Sequence, residues 1–282
     1  MRHLGHLGTG TICPILDNGT LGDRHLLSQE RITAMETISS LKNPRVLAWR
    51  SLKDKKGRET HHAFLVEGPK MVREALSSSF SVETILLRED LAGSFEFPPS
   101  IPSFVLPEHV FSAVSDTKTP QGVAAVLTLE TKPVSGPRLL ALDGVQDPGN
   151  VGTIVRTADA AGFDGILFSR ECADLFSPKV LRATMGSIFR LGFSFPPSLP
   201  EALENIKKKG FSVLSSQLDG EPFYERSNVA PSFVLVVGNE GNGVSDAVKA
   251  VATHHLCLPM RGGAESLNAA VAAGIMMYDL VR

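Results

Sequence analysis

The second half of the chain constrains the fold most, because it alternates short, mostly apolar runs with segments of helical pattern. From residue 138 onward the apolar runs are RLLALDGV, GILFS, SVLSSQL, SFVLVVG and HLCLPM, and the helical segments are TIVRTADAAG, SPKVLRATMGSIFRL, VSDAVKAV and SLNAAVAAGIMMYDL. Near-continuous apolar strands separated by helices are typical of a parallel sheet covered on both faces. The sequence therefore predicts an α/β fold for residues 138–282.

The first half predicts a smaller α/β domain over residues 31–130. Its strand-like runs are AFLVE, VETILLRED and GVAAVLTLE, and helical spacing recurs in VLAWRSL and PKMVREAL, where Pro69 suits a first turn. The segment TKPVSGP, residues 131–137, carries two prolines and a glycine and predicts a linker. Residues 1–30 are an extension for which no fold is predicted.

Composition narrows the class of protein. With 43% hydrophobic and 21% charged residues, the chain has the composition of a soluble globular protein. Its longest apolar stretch, residues 269–278, is too short for the roughly 20 residues of a membrane span, so no membrane partner is expected. Cys13, Cys172 and Cys257 are isolated, which argues against a disulfide framework or a zinc site. We expect an intracellular protein, in the cytoplasm or in an organelle matrix.

Basic residues are concentrated between positions 42 and 58. The formal net charge of the chain is −2, yet this segment has seven basic side chains and a single acid, Asp54. A local cluster of this kind can contact the phosphates of a nucleic acid even in a mildly acidic protein. The alternative is a solvated helix end followed by a turn. The candidate RNA-binding residues are Lys42, Arg45, Arg50, Lys53, Lys55, Lys56 and Arg58.

Three strands of the predicted parallel sheet end in loops rich in glycine and polar residues. Ligands of such sheets bind beyond the carboxyl ends of the strands. In the first loop, QDPGNVG, Asn150 lies between Gly149 and Gly152. Arg156 follows on the helix, where its side chain can lean back over the strand end. The alternatives are tight packing of the strand against the helix and a phosphate bound at the helix N-terminus.

The second and third loops add an acid and two capping residues. Glu240 lies in GNEGNGVS, whose glycines are spaced GxxGxG rather than the GxGxxG of a dinucleotide-binding fingerprint, which argues against an oxidoreductase. Packing explains a glutamate among glycines poorly, and the alternative is a solvated loop acid. In the third loop, LPMRGGAESLNAAVAAG, Ser266 suits an N-cap and Asn268 falls in the first turn of the last helix.

Taken together, the segments DPGNVGTIVRTADAAG, GNEGNGVS and LPMRGGAESLNAAVAAG resemble the three motifs of the SpoU (TrmH-like) family of RNA ribose 2′-O-methyltransferases, within the SPOUT superfamily. The segment SPKVLRATMGSIFRL resembles that family as well. Residues 36–127 resemble the small ribosomal-protein-like (L30e-like) substrate-binding domain that often precedes the motifs. Two departures leave the choice of substrate open: many relatives have a valine–serine pair where this chain has Ala269 and Ala270, and a serine in place of Thr184.

The resemblance implies a catalytic domain whose C-terminal segment threads a trefoil knot, and a homodimer with its active site at the interface. It also implies S-adenosylmethionine as the methyl donor. Backbone groups of the knot loops would bind this donor, at Gly238, Leu258 and Leu267, with Met260 close by. The residues that match the catalytic motifs are Asn150, Arg156, Glu240, Ser266 and Asn268.

A ribose 2′-hydroxyl holds its proton tightly, so the protein must align it with the methyl group and help remove that proton. We expect Arg156 to position the hydroxyl and its adjacent phosphate rather than to lose its own proton. Glu240 would orient Arg156 or Asn150, and Ser266 and Asn268 would complete a polar wall. The expected substrate is structured RNA; ribosomal RNA is favoured, and transfer RNA is the alternative. The alternative is an RNA-binding protein of the same fold that makes no product.

Overall fold

The structure, a computed structural model, describes residues 35–282, so the extension over residues 1–30 and Cys13 lie outside the described residues. Two sheets organise the described chain, one on each side of residues 131–137. None of the helices in this part of the chain has the length and hydrophobicity to cross a bilayer.

The first sheet has five strands in the order β1-β4-β3-β5-β2 and is mixed: β5 runs antiparallel to β3 and β2, whereas β4 runs parallel to β3 and β1. Its strands are β1 (Glu36–Thr37), β2 (Ala63–Glu67), β3 (Val82–Arg88), β4 (Ser103–Leu106) and β5 (Val123–Thr128). Its helices are α1 (Pro44–Ser51), α2 (Lys55–His61), α3 (Pro69–Leu76) and α4 (Glu108–Val114). The predicted strands and helices of this half are confirmed, and β1, α2, β4 and α4 are additional.

The second sheet has six strands in the order β11-β9-β10-β6-β7-β8, and every neighbouring pair is parallel, as the apolar runs predict. Its strands are β6 (Arg138–Asp143), β7 (Gly165–Phe168), β8 (Gly192–Ser194), β9 (Ser212–Pro222), β10 (Phe233–Gly238) and β11 (His254–Cys257). Its helices are α5 (Pro148–Ala160), α6 (Pro178–Thr184), α7 (Leu199–Lys207), α8 (Asp246–Lys249) and α9 (Ala269–Leu280). Each loop that was singled out in the sequence follows a strand of this sheet.

Helices α5 and α6 have boundaries that differ from the prediction. Helix α5 begins at Pro148, with Asp147 as its N-cap, so Asn150 and Gly152 lie in its first turns rather than in a loop. Helix α6 ends at Thr184, because the next two residues adopt left-handed backbone conformations, with φ of +52° at Met185 and +98° at Gly186.

One apolar core joins the two sheets. The ring of Phe64, on β2, lies 4.8 Å from that of Phe176, and Phe80 packs against Phe189 at 5.5 Å and Phe193 at 6.1 Å, measured between ring centroids. All five rings belong to the same buried cluster. Burial of this much aromatic surface fixes one sheet against the other.

Polar contacts fasten the connection as well. The predicted linker is packed onto the second sheet, where Lys132 pairs with Phe193 in an isolated β-bridge and donates from its ammonium to the carbonyl of Phe189 at 2.7 Å. The guanidinium of Arg58, on α2, forms an ion pair with Asp174 of the second half at 2.6 Å. The region around residues 131–137 therefore offers no free hinge.

Candidate active site

The three glycine-rich segments meet in one hydrogen-bonded line of side chains. Asn268 donates from Nδ2 to Oδ1 of Asn150 at 3.0 Å, and Asn150 donates from its own Nδ2 to Oε1 of Glu240 at 2.9 Å. These residues are separated by 118 and 90 positions in the sequence. The fold therefore brings together one predicted catalytic residue from each motif.

Both ends of this line fix the direction of its hydrogen bonds. The Glu240 carboxylate can only accept, so the amide group of Asn150 that faces it must be the NH₂. At the other end, Oδ1 of Asn268 accepts from the backbone N–H groups of Ala270 and Val271 at 2.9 and 3.3 Å, so its NH₂ must face Asn150. The polarity of the whole line follows, and Oδ1 of Asn150 keeps a second lone pair for a further donor.

Glu240 also binds the start of helix α5. Its carboxylate oxygens accept from the backbone N–H groups of Gln146 and Asp147, each at 3.2 Å. Partial burial alone would raise the pKa of Glu240, but the hydrogen bonds from Asn150 and from these backbone groups outweigh it and hold that pKa below its ordinary value. Glu240 is therefore an anion at neutral pH and a fixed acceptor.

Asn268, and not Ser266, caps the last helix. Helix α9 begins at Ala269, and the side chain of Asn268 accepts from its first free N–H groups. The predicted N-cap at Ser266 was wrong, because both residue types satisfy the capping pattern and the observed boundary lies two residues later. Ser266 is exposed and lines the cleft described below.

Arg156 lies outside this line of hydrogen bonds. It is exposed on α5, and within residues 35–282 its guanidinium has neither a hydrogen bond nor an ion pair. Glu240 was expected to orient either Arg156 or Asn150, and its side-chain partner in the structure is Asn150. The turn of α5 that carries Arg156 faces the last helix, since a Cβ at Gly274 would lie 3.5 Å from Cγ2 of Thr157.

Two motif glycines are required by packing. A Cβ on Gly152 would overlap Ala183, so this glycine permits the close approach of α5 and α6. The sequence left tight packing of a strand against a helix as an alternative role for this glycine. The structure shows that Gly152 does serve tight packing, but between two helices. A Cβ on Gly238 would overlap the backbone of Gly243 and Val244, where the loop after β10 folds back on its own strand.

A cleft of about 1430 Å³, open to solvent, lies beside the side-chain line. It is lined by all four residues predicted to bind the cofactor, which are Gly238, Leu258, Met260 and Leu267. Glu240, Ser266 and Asn268 line it as well, whereas Asn150 and Arg156 do not. The sequence motifs thus identify one physical cavity.

The residues of this cleft fit S-adenosylmethionine. Leu256, Leu258 and Met276 are buried and offer apolar surface to a purine ring. The exposed loop from Met260 to Leu267 supplies backbone N–H and C=O groups that have no hydrogen-bond partner elsewhere in the described chain. A flat apolar floor with free backbone groups at its rim is the usual design of a nucleoside-binding pocket.

Comparison with known proteins decides the family. The model of the SpoU rRNA Methylase family matches residues 137–278. The 23S rRNA (guanosine(2553)-2′-O)-methyltransferase RlmP of Bacillus subtilis is 40% identical over 247 residues, which are 87% of this chain and 99% of that protein. The chain belongs to the SpoU rRNA methylase family. The predicted class, an RNA ribose 2′-O-methyltransferase that uses S-adenosylmethionine, is confirmed.

Solved structures of SpoU relatives share the fold. The AdoMet-bound rRNA methyltransferase of Sinorhizobium meliloti is 31% identical, with a TM-score of 0.78 over 87% of this chain and 97% of that one. AviRb of Streptomyces viridochromogenes, in complex with AdoMet, is 25% identical, with a TM-score of 0.73 over 85% and 98% of the two chains. Both were solved with the cofactor that the cleft fits.

The basic segment of this SpoU chain divides into structural and exposed residues. Apart from Lys42, it lies in the part that matches the MRM3-like substrate binding domain, residues 43–125. Arg58 is 3% exposed and bonded within the protein, so its expected role in contacting RNA was wrong. Lys53 is half-buried and donates to the carbonyl of Ala113 at 2.9 Å. Five basic side chains remain exposed: Lys42, Arg45, Arg50, Lys55 and Lys56.

Sequence reasoning missed two supporting residues. Asn239 donates from Nδ2 to the carbonyl of Gly144 at 2.8 Å and so ties the second loop to the first. Asp143, the last residue of β6, accepts from the N–H of Ser245 at 2.7 Å. Asn239 lies within the second motif and Asp143 ends the strand that leads to the first, and the available signal was their position at a strand end in a parallel sheet.

Proposed function

We propose that this protein transfers a methyl group from S-adenosylmethionine to a ribose 2′-hydroxyl of ribosomal RNA. The observation that carries the proposal is the line from Glu240 through Asn150 to Asn268 at the edge of the cofactor cleft. The named activity of RlmP, a relative matched along almost its entire length, supports ribosomal RNA as the substrate. The cofactor supplies an electrophilic methyl group on a sulfonium.

The side chains of this protein have two tasks in the reaction. Glu240 holds the Asn150 amide so that its Oδ1 can accept the hydrogen bond of a ribose hydroxyl, which aligns the oxygen for attack. Arg156, which is exposed and without a partner in the described chain, holds the adjacent phosphate. A guanidinium has no lone pair to accept a proton at neutral pH, so Arg156 positions the substrate, and the proton of the hydroxyl would leave to water in the open cleft.

The direct test is methyl transfer from labelled S-adenosylmethionine to purified ribosomal and transfer RNA from cells that lack the protein. We expect label in ribosomal RNA, recovered as a 2′-O-methylnucleoside after digestion. Arg156→Ala should abolish transfer while calorimetry still detects cofactor binding. Thr153→Ala, an exposed change one turn earlier on α5, is the matched control and should leave both unchanged. Loss of cofactor binding in Arg156→Ala would instead give Arg156 a structural role.

We further propose that the active form is a homodimer built on the exposed face of α9. Val271, Ile275 and Tyr278 recur at helical spacing there and are 50%, 38% and 52% exposed. An apolar stripe of this kind on a helix end is unusual in a monomer. A second copy of the same stripe would cover it and would bring a partner beside the turn of α5 that carries Arg156.

Two measurements test the dimer. Sedimentation should give a dimer for the wild type and a monomer for Ile275→Glu. If Arg156 serves the partner's site, a mixture of inactive Arg156→Ala and inactive Glu240→Gln should recover about a quarter of the wild-type activity. Half of the dimers in such a mixture contain one subunit of each variant, and each of these dimers has one intact site out of two. A wild type that sediments as a monomer would refute the dimer, and a mixture that stays inactive would confine Arg156 to its own subunit.

A further inference from the structure

Strand β9 carries a bulge where it borders the cofactor cleft. Its pairing with β10 ends at Ser215, and its pairing with β11 breaks after the same residue and resumes at Glu221. Residues 216–220 are therefore extra on β9, and a Cβ at Gly220 would overlap the backbone of His255 where the bulge returns to the sheet. Bulges next to active sites re-aim side chains, and this bulge turns its first four residues to the cleft.

Gln217, in this bulge, has a buried amide oxygen with no hydrogen-bond partner within residues 35–282. Leaving a buried acceptor unpaired destabilises a protein, because the group has lost its hydrogen bonds to water. Such groups are rare in folded proteins and call for a specific explanation. Other atoms of Gln217 line the cofactor cleft, so a rotation of its side chain would turn this shielded oxygen to a donor on a bound ligand, which is the explanation that the geometry favours.

We propose that Gln217 recognises the adenine base of the cofactor, with its amide oxygen accepting from the exocyclic amino group and its amide NH₂ donating to a ring nitrogen. The inference rests on the proposed function, because it requires the cofactor in this cleft. Glutamine pairs with adenine through these two groups in protein–nucleic acid complexes. The α-ammonium of the cofactor, a charged donor, is better matched by a carboxylate, and Asp219 and Glu240 line the same cleft.

Binding of two product analogues tests this assignment without measuring methyl transfer. S-Adenosylhomocysteine carries the amino group, whereas S-inosylhomocysteine carries a carbonyl oxygen in its place. By calorimetry, the wild type should bind the adenosyl compound about 10-fold or more tightly than the inosyl compound. Gln217→Met should reduce this preference to about 2-fold or less, and its ligand-free melting temperature should not fall, because the variant removes an unpaired buried acceptor.

Ser215 offers a matched control on the same strand. Its hydroxyl oxygen is also buried and unpaired among the described residues, but Ser215 does not line the cleft. Ser215→Ala should keep the full preference for the adenosyl compound. Gln217→Ala provides a second variant if Gln217→Met does not fold.

Three results would overturn the assignment to Gln217: a wild type that binds both compounds equally, Gln217 variants that keep the wild-type preference, or a Ser215→Ala variant that loses it. A wild type that binds neither compound would instead contradict the proposed function, so the two failures can be told apart.

Discussion

The ion pair between Arg58 and Asp174 tests whether a basic residue of the segment 42–58 stabilises the fold or binds RNA. The side chain of Arg58 is 4% exposed, and its guanidinium donates to Oδ2 of Asp174 at 2.6 Å. It also donates to the carbonyls of Leu52 and Lys53 at 2.7 and 2.8 Å. The Arg58 guanidinium is thus buried and bonded to groups of the protein itself, so it is not available to RNA.

The substitution Arg58→Met removes the guanidinium and keeps an unbranched stem of similar length. Breaking a fully buried ion pair by removing one partner costs about 3 to 5 kcal/mol. Asp174 is 23% exposed and keeps a hydrogen bond from the backbone N–H of Phe176, so its carboxylate is left only partly unsatisfied. We therefore expect Arg58→Met to lower the free energy of unfolding by about 2 to 4 kcal/mol, somewhat less than the loss of one partner of a fully buried ion pair.

Urea unfolding followed by circular dichroism measures the change, with Lys56→Met as the matched control. Lys56 is exposed, has no ion pair among the described residues and lies on the same short helix. Lys56→Met should change the free energy of unfolding by about 0.5 kcal/mol or less. If Arg58→Met unfolded like the wild type and bound RNA more weakly than the wild type, the ion pair would be unimportant and Arg58 would return to the RNA-binding set.

Three further predictions concern the site and its substrate. Asn268→Asp keeps the cap acceptor of α9 but loses the donor to Asn150, so methyl transfer should fall at least about 10-fold at unchanged melting temperature. The lowered pKa of Glu240 means that its anion stabilises the fold above the ordinary glutamate pKa of about 4.3. In urea unfolding at a series of pH values, the excess free energy of unfolding of the wild type over Glu240→Gln should be lost as the pH falls below that value. Replacing Lys42, Arg50 and Lys56 by alanine should lower the slope of log affinity for RNA against log salt by about 2 to 3.

Patterns that depend on local spacing predicted the fold well. Helix α3 (Pro69–Leu76) coincides with PKMVREAL, because Pro69 fits a first turn and Met71, Val72 and Ala75 form one buried face. Helix α2 (Lys55–His61) was missed because it has no apolar face: its buried residues are Gly57 and Arg58. A helix held by an ion pair to a residue more than a hundred positions away leaves no periodic signal in its own sequence.

The sequence predicted which residues form the candidate site, but only part of how they are arranged. Motif resemblance selected Glu240, Asn150 and Asn268, yet spacing alone did not indicate that they bond to one another, since each lies on a different segment. The mechanistic hypothesis left Arg156 and Asn150 open as partners of Glu240, and within the described residues the side-chain partner is Asn150. The trefoil knot, which only the resemblance implies, stays a prediction, because strand order does not define how loops pass one another.

The same side chains both stabilise helix ends and hold Asn150 in its orientation. Oδ1 of Asn268 caps α9, while its Nδ2 holds Asn150 in place. The Glu240 carboxylate binds two backbone N–H groups at the start of α5, while one of its oxygens holds the other side of Asn150. The ends of two helices are thereby fixed on one amide, and its remaining lone pair is the acceptor proposed for the ribose hydroxyl. Because the helix ends are set by burial of the core beneath them, the orientation of Asn150 is established when the chain folds and needs no rearrangement when RNA binds.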